Sequence, residues 1–319
     1  MALREVRVAV VGAGSLGIHH ARIYRELAGE AHLVAVVDVD AEARRRCAER
    51  FRVRVAAAMS EVLDDVDAVS LVTPTVLHHR MGLEILRAGR HLLVEKPITD
   101  SLETARRLVE LANRSGRILQ VGHVERFNGA VMALSGVISD PKFIECHRLS
   151  PYPGRGCDVS VAHDLMIHDL DIVLKLVNRE PVSVDAVGIP IFSETEDIVN
   201  ARIRFASGCV ANLTASRVSM DKMRKIRIFD VNAYVSTDYG EQQVLVYRRK
   251  PGEIPPDVNP MSWITVEPLS VPQGEPLRLE LESFLAAIRG ECPVQVTGED
   301  ACRALELAET IVAECRKHR

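Results

Sequence analysis

A histidine and an aspartate four residues apart offer acid-base chemistry in this sequence. Residues 161–174 read as a helix on which Asp164 and His168 are neighbours, with Asp171 and Lys175 continuing a polar stripe. Imidazole exchanges a proton near neutral pH, and a carboxylate beside it fixes which ring nitrogen carries that proton. The pair therefore predicts a general acid or base. The alternative is a surface helix whose histidine and aspartate only satisfy each other.

A lysine offers a second reactive group at the end of a predicted strand. The apolar segment 91–94 leads into Glu95-Lys96-Pro97, and an earlier apolar segment, 66–72, leads into Thr73-Pro74-Thr75. The carboxyl ends of parallel strands share one edge of a sheet, where open α/β sheets bind their ligands. Lys96 is therefore a candidate for contact with a ligand, and the alternative is a surface ion pair with Glu95.

A glycine-rich turn is the element that would position a ligand at this edge. The apolar, β-branched segment 6–11 predicts a buried strand, after which Gly12, Gly14 and Gly17 lead into a helix. Gly12 permits a tight turn, Gly14 leaves room for a pyrophosphate, and Gly17 lets helix and strand pack closely. The helix N-terminus offers N–H groups to the phosphates. The pattern predicts a dinucleotide-binding turn.

An acid at the end of the second predicted strand, 33–37, indicates which dinucleotide is bound. Asp38 can accept hydrogen bonds from a ribose 2′-hydroxyl and would repel a 2′-phosphate, so the sequence favours NAD over NADP. The alternative is that Arg44, Arg45 and Arg46 neutralise a 2′-phosphate. Asp38 argues against that alternative.

The order of the predicted elements divides the chain into two domains. Strand and helix alternate through residue 122, so residues 1–122 predict an α/β domain with a doubly wound parallel (Rossmann) sheet for the dinucleotide. Residues 123–319 predict an α+β domain for substrate binding and oligomerisation, because several alternating strands there form a large open, mostly antiparallel sheet. An open sheet has a face to cover, which predicts self-association. The proline-rich segment 251–276 predicts a surface loop.

Composition argues against several classes of partner. The 319 residues carry a formal net charge of −4 and no long basic run, so we expect neither nucleic acid nor a membrane as partner. No apolar segment is long enough to span a bilayer and no signal peptide precedes the first strand, which predicts a cytoplasmic protein. The seven scattered cysteines predict reduced thiols. Helical spacing divides the potential ligands of segment 163–169 among different faces, so we expect no metal site.

Together these motifs resemble the Gfo/Idh/MocA family of sugar and inositol oxidoreductases, over nearly the whole chain. The resemblance implies that the helices of residues 277–319 pack back on the first domain, and that the open sheet mediates homodimers or homotetramers. It implies NAD as cofactor and a catalytic set of Lys96, Asp164 and His168. The implied cofactor-binding residues are Gly12, Gly14, Ser15, Leu16, Gly17, Asp38, Thr73, Pro74, Thr75, His78, Glu95 and Lys96. The implied substrate-binding residues are Lys96, Arg126, Asn128, Arg155, Asp164 and His168.

Within that family, segments 122–128, 148–152, 164–169 and 216–219 most resemble enzymes that oxidise the 3-hydroxyl of UDP-N-acetylglucosamine, on the way to an amide-linked lipid A. Four arginines, at 126, 148, 155 and 217, could supply forked donors to the diphosphate. We therefore expect hydride transfer to NAD, with His168 as base, Asp164 orienting it and Lys96 stabilising the alkoxide. The alternatives are a dehydrogenase of inositol, a hexose or a UDP-sugar uronate, or a regulator that binds NAD or a sugar without turnover.

Overall fold

The computed structural model describes residues 5–152, 159–231, 233–254, 256–257 and 259–317. Contacts within the chain divide it into two units. The first unit contains the residues up to Val124 together with Glu275–Leu305, and the second contains Glu125–Gly274 and the residues from Glu306 onward. The roles predicted for two domains, dinucleotide binding and substrate binding with oligomerisation, stay predictions.

Helices occur in both units. No helix in the described ranges is long and apolar enough to cross a membrane. In chain order they are α1 (Gly17–Glu26), α2 (Ala41–Phe51), α3 (His78–Arg87), α4 (Leu102–Ser115), α5 (Gly129–Leu134), α6 (Ile167–Val177), α7 (Pro276–Ile288) and α8 (Gly298–Lys317).

A parallel sheet forms the centre of the first unit. Its strands are β1 (Val6–Val11), β2 (Ala31–Val37), β3 (Arg54–Ala56), β4 (Ala68–Leu71), β5 (His91–Glu95) and β6 (Leu119–Gly122). They lie in the order β3-β2-β1-β4-β5-β6, and each neighbouring pair is parallel. The strand order reverses between β1 and β4, which creates the switch point where doubly wound sheets bind ligands. The predicted doubly wound parallel sheet is confirmed.

A hydrophobic core joins this sheet to α1 and α7. Val8 and Val10 of β1 pack with Tyr24 of α1 and with Leu281 and Phe284 of α7, and all five are buried. The apolar β-branched strand residues favour extended backbone and fill a sheet that is covered by helices. A helix from late in the chain therefore packs on the helix that comes after the glycine turn, within the first unit.

A large, mostly antiparallel sheet forms the second unit, as predicted. Among the described residues it contains β7 (Pro141–Leu149), β8 (Pro181–Ile189), β9 (Ile198–Phe205), β10 (Val210–Ser216), β11 (Met223–Asp230), β12 (Tyr234–Asp238), β13 (Gln243–Arg249) and β14 (Ile264–Pro268). The order is β14-β13-β12-β11-β7-β10-β9-β8, and β7 and β10 are the parallel neighbours in it. Burial alternates along β9, so one face of the sheet is covered and the other is open.

The segment 251–276, predicted to be a loop, contains a short strand. β14 pairs with β13 at the edge of the second sheet. The prediction of a continuous loop is therefore wrong for Ile264–Pro268. Prolines are tolerated on an edge strand because one side of that strand needs no ladder hydrogen bonds.

The helix predicted over 161–174 is not regular at its start. Ala162–Met166 form a π-helical turn, and the α-helical hydrogen bonds of α6 begin at Ile167. A π-turn inserts one residue into a helix and often occurs at functional sites. The predicted polar stripe does not hold over its whole length, because Asp171 is buried while Lys175 is exposed.

Candidate active site

The glycine turn between β1 and α1 is shaped to receive a phosphate group. Gly12 has a φ of +101°, and a Cβ there would lie 2.2 Å from the carbonyl oxygen of Val72. A Cβ at Gly17 would lie 1.8 Å from the carbonyl oxygen of Gly12. A Cβ at Gly14 would meet no described atom within 4 Å, so the space above this residue is open. No side chain of the described residues caps α1 at Leu16, so the positive end of its helix dipole suits a pyrophosphate.

Asp38 lies beside this turn, at the end of β2. Its Oδ2 accepts a hydrogen bond from the N–H of Ala13 (2.6 Å), and its Oδ1 accepts one from the N–H of Asp40 (2.8 Å). The carboxylate of Asp38 therefore fixes the glycine turn through Ala13. It also lies at the end of β2, where ribose recognition is expected. Arg44 donates through Nη1 to the carbonyl oxygen of Asp38 (2.7 Å), so a cation lies at the same strand end.

His78 joins the two turns that come after β4 and β5. Its buried ring places Nδ1 2.9 Å from the carbonyl oxygen of Pro97 and Nε2 2.8 Å from that of Thr73. Both ring nitrogens therefore face backbone oxygens of the protein. Direct contact between His78 and the cofactor stays a prediction.

Glu95 ends β5 and is buried, whereas the alternative interpretation of Lys96 placed Glu95 at the surface. Its Oε1 lies 3.1 Å from Nε2 of His20, and its Oε2 accepts a hydrogen bond from the N–H of Lys96 (3.3 Å). Lys96 itself is half-buried, and the peptide bond between Lys96 and Pro97 is cis. Lys96 thus directly follows Glu95, the last residue of β5, whose carboxylate is buried.

Strand register brings the predicted cofactor residues to one edge of the first sheet. Val11 of β1 pairs with Val37 of β2 and with Leu71 of β4, and Leu71 pairs with Val94 of β5. The glycine turn, Asp38, the threonine-proline turn and Lys96 come shortly after these paired residues in the chain. They therefore lie at the carboxyl edge of the parallel sheet, on both sides of its switch point. This donor set, an open glycine cradle beside a carboxylate, fits NAD.

Asp164 and His168 lie in the second unit, at the π-turn and in the first turn of α6. Both side chains are half-buried. The carbonyl oxygen of Ser160 accepts hydrogen bonds from the N–H groups of His163 (3.0 Å) and Asp164 (3.1 Å), which fixes the start of the π-turn. Burial lowers the pKa of His163, which favours its neutral form. Among the described residues, no group of His, Cys, Asp and Glu side chains is arranged to hold a metal ion.

Arg126 and Asn128, both predicted to bind substrate, are buried and bonded within the second unit. The guanidinium of Arg126 donates to both carboxylate oxygens of Asp171 (2.5 and 2.7 Å). Asn128 caps α5 through Oδ1 and donates through Nδ2 to the carbonyl oxygen of Tyr239 (3.1 Å). Substrate binding by these two residues stays a prediction, and the third predicted residue, Arg155, lies outside the described residues.

Arg148 and Arg217, considered above as donors for a diphosphate, form buried ion pairs in the second unit. Arg148 donates to both oxygens of Asp169 (2.8 and 2.9 Å) and to Oε1 of Glu125 (2.9 Å). Burial opposes the charge of Arg148, but the two carboxylates outweigh it and raise the pKa of this guanidinium. Arg217 donates through Nε to Oδ1 of Asp197 (2.8 Å). A diphosphate would have to displace these carboxylates, so the structure does not support that role.

A buried polar group near Glu95 was not predicted from the sequence. Glu280 of α7 is 0% exposed, and neither of its carboxylate oxygens has a hydrogen-bond partner in the described part of the chain. Burial, and then the charge of Glu95, raise the pKa of Glu280 well above its usual range. Gln120 of β6 is also buried and donates to the carbonyl oxygen of Glu280 (3.0 Å). The position of Glu280 on the apolar face of a helix-forming segment is the signal that could have revealed it.

These features define the class of protein. A parallel sheet with this strand order, a glycine turn open at Gly14, and a carboxylate at the end of β2 are the parts of a dinucleotide-binding Rossmann fold. The chain belongs to the Gfo/Idh/MocA family of oxidoreductases. Residues 6–123 match the family model described as an oxidoreductase family with an NAD-binding Rossmann fold, and residues 131–234 match the family's C-terminal domain.

Known relatives extend this likeness to the whole chain. The chain is 36% identical over 305 residues to a UDP-N-acetylglucosamine 3-dehydrogenase from Acidithiobacillus ferrooxidans, covering 95% of each protein. A solved structure of that dehydrogenase superposes with a TM-score of 0.91 at 34% identity, covering 99% of both chains. An inositol 2-dehydrogenase from Rhizobium meliloti is 28% identical over 335 residues, covering 98% of each. The predicted family, fold class and NAD cofactor are confirmed.

Proposed function

We propose that this protein oxidises a sugar hydroxyl to a ketone with NAD, and that its substrate is UDP-N-acetylglucosamine, oxidised at the 3-hydroxyl. The observation that carries the proposal is the 36% identity, over 95% of both chains, to a dehydrogenase of that substrate. The site supports it, because the glycine turn, Asp38 and Lys96 share the carboxyl edge of the parallel sheet.

The first unit would hold NAD, which accepts a hydride when bound. The glycine turn, with Gly12, Gly14, Ser15, Leu16 and Gly17, offers backbone N–H groups and an open surface to the pyrophosphate. Asp38 would accept hydrogen bonds from the ribose hydroxyls. The turns with Thr73, Pro74 and Thr75 and with Glu95 and Lys96 would contact the nicotinamide half, and His78 belongs to the same proposed set.

The substrate hydroxyl must lose a proton as its carbon loses a hydride. His168 would take that proton, and Asp164 would hold the imidazole in the tautomer that can accept it. Lys96 would stabilise the developing alkoxide through its positive charge. Arg126 and Asn128 belong to the same proposed substrate-binding set, and Arg126 also holds α6, which carries His168, through its bonds to Asp171.

Turnover with purified protein tests this function. We expect NADH absorbance to rise catalytically with UDP-N-acetylglucosamine, and mass spectrometry to show the loss of two hydrogens from the sugar. His168→Ala and Lys96→Ala should each abolish most turnover while NAD still binds. Near-normal turnover in either variant would contradict the assigned roles.

A second candidate function is oxidation of inositol, favoured by the full-length likeness to an inositol 2-dehydrogenase. The same assay with inositol, a hexose and a UDP-sugar uronate separates these substrates. Faster NADH formation with inositol than with the nucleotide sugar would replace the first proposal. A stoichiometric NADH signal would instead indicate a regulator that does not turn over.

The open face of the second sheet is the proposed surface for self-association into dimers or tetramers. A row of aromatic rings crosses four of its strands, with centroid distances of 5.6 Å for Phe143–Phe229, 4.7 Å for Phe229–Tyr234 and 4.9 Å for Tyr234–Tyr247. Phe229 is 40% exposed, and apolar surface of this kind gains from burial. Light scattering should show an oligomer that Phe229→Lys weakens. A cytoplasmic location is part of this proposal, to be tested by cell fractionation.

A further inference from the structure

The Lys96 turn is bonded to two buried histidines that exchange no proton with the substrate in the proposed chemistry. His20 reaches it through Glu95, and His78 reaches it through the carbonyl group of Pro97. Both imidazole rings are buried, in α1 and at the start of α3. Each histidine therefore ties the segment around Lys96 to a different helix of the first unit.

The first attachment passes through the Glu95 carboxylate. Oε1 contacts Nε2 of His20 at 3.1 Å, and Oε2 accepts the Lys96 N–H at 3.3 Å. Gly122 leaves room for the Glu95 side chain, because a Cβ at position 122 would lie 2.8 Å from both Cδ and Oε2 of Glu95. His20 lies one turn into α1, whose N-terminus is the glycine turn. The carboxylate thus couples the dinucleotide turn to the backbone of Lys96.

The second attachment crosses the two turns after β4 and β5. His78 places Nδ1 2.9 Å from the carbonyl oxygen of Pro97 and Nε2 2.8 Å from that of Thr73. Carbonyl oxygens only accept hydrogen bonds, so each ring nitrogen bonds to its carbonyl oxygen only where it carries a proton. One imidazole therefore sets the separation between the threonine-proline turn and the lysine turn.

We propose that His20 and His78 are positioning residues for Lys96, His20 acting through Nε2 and Glu95, and His78 acting through Nδ1 and Pro97. The inference rests on the proposed function for the role of Lys96. A charged group that stabilises an alkoxide must be placed in advance, since a displacement of about 1 Å can lower the rate on the order of 10²-fold. Two buried rings, one bonded to the residue before Lys96 and the other to the residue after it, supply that placement.

His20 contacts Glu95 through Nε2, whereas His78 contacts Pro97 through Nδ1. This difference gives a test that separates positioning of Lys96 from the filling of space. The side-chain amide nitrogen of asparagine can occupy the place of a histidine Nδ1, whereas that of glutamine can reach the place of Nε2. At position 20, glutamine therefore keeps the contact with Glu95 and asparagine loses it. At position 78, asparagine keeps the contact with Pro97, and glutamine keeps the contact with Thr73 instead.

The experiment compares His20→Gln, His20→Asn, His78→Asn and His78→Gln with the wild type. We expect His20→Gln to keep kcat near the wild-type value and His20→Asn to lose on the order of 10²-fold in kcat. At position 78, kcat should be lower for His78→Gln than for His78→Asn. The KM for NAD should change little in the two His20 variants. The exposed neighbour His19 provides the control His19→Gln, which should leave kcat unchanged.

Amide hydrogen exchange gives a second readout that does not require turnover. The Lys96 N–H should exchange faster in His20→Asn than in His20→Gln, because only the asparagine variant releases the Glu95 carboxylate that accepts this N–H. If the wild type oxidises no sugar of the panel, the proposed function fails while the exchange rates still decide the positioning role. Equal effects of asparagine and glutamine at both histidines, on kcat and on exchange, would overturn the inference.

Discussion

Glu280 is expected to destabilise the first unit at neutral pH. It is 0% exposed in α7, and its two carboxylate oxygens lack hydrogen-bond partners in the described residues. Burial, followed by the charge of Glu95, raises the pKa of Glu280 well above the 4.5 of an unperturbed glutamate. A buried acid that keeps its proton avoids the cost of an unpaired charge in the interior. Replacing Glu280 by a neutral residue should therefore stabilise the protein.

The sign and size of the effect come from proton linkage. Above pH 4.5 the unfolded chain loses the Glu280 proton while the folded chain keeps it, so the contribution of this group to stability is largest below pH 4.5 and falls as pH rises toward the folded pKa. The fall is up to about 1.4 kcal/mol per pH unit. Between pH 5 and pH 7 the wild type should therefore lose up to about 3 kcal/mol relative to Glu280→Gln.

Thermal unfolding from pH 5 to pH 8 measures this difference. For a domain of this size, about 1 kcal/mol shifts Tm by about 2–4 °C. We expect the Tm of Glu280→Gln to exceed that of the wild type by an amount that grows with pH, and Glu280→Leu to show the same trend. Glu282→Gln, on the same helix but half-exposed, is the matched control and should show no such growth. A Tm difference that is constant or shrinks as pH rises would refute the reasoning.

Three further predictions concern cofactor binding and stability. Gly17→Ala should lower both Tm and NADH affinity, because its Cβ would lie 1.8 Å from a backbone oxygen. Gly14→Ala should leave Tm unchanged, because its Cβ would meet no described atom within 4 Å, but it should lower NADH affinity in fluorescence titrations. Asp38→Ala should lower kcat/KM for NAD about 10-fold or more through loss of a charge-assisted hydrogen bond, and raise the NADP rate relative to NAD in parallel kinetic assays. Asp197→Asn should cost about 3–5 kcal/mol in urea unfolding, because it leaves the buried Arg217 charge without its carboxylate.

Sequence patterns predicted the elements whose burial is nearly complete. The segment 66–72 contains β4, and 91–94 contains most of β5, because runs of apolar residues in these strands fill a sheet covered by helices. Two edge strands escaped prediction. β3 has three residues and begins with an exposed arginine, and β14 lies in a proline-rich segment. β3 is too short to show an alternating pattern, and the prolines around β14 are typical of a loop.

The glycine turn and Asp38 could be predicted from the sequence. The turn needs glycine at fixed positions, and ribose recognition needs an acid at a fixed distance from that turn. The partners of the arginines could not be predicted from the sequence. Arg148 pairs with Asp169 and Arg217 with Asp197, at separations of 21 and 20 residues in the chain. An arginine has the same hydrogen-bonding groups whether it binds a ligand diphosphate or a carboxylate of the fold. The three-dimensional packing of α6 against β7, rather than residue type, decides the partner of Arg148.

The π-turn is the point at which a helical pattern was least informative about the site. Spacing alone placed Asp164, His168 and Asp171 on one polar stripe, but the extra residue in the π-turn rotates the later residues of the helix to other faces. In the structure Asp171 is buried against Arg126, while Asp164 and His168 remain half-buried. The hydrogen bonds that hold this turn come from Ser160 and from the carbonyl group of Glu196, outside the helix. The position of the proposed acid-base pair therefore depends on Ser160 and Glu196. The sequence pattern could not identify these two residues, because polar contacts of this kind leave no periodic signature.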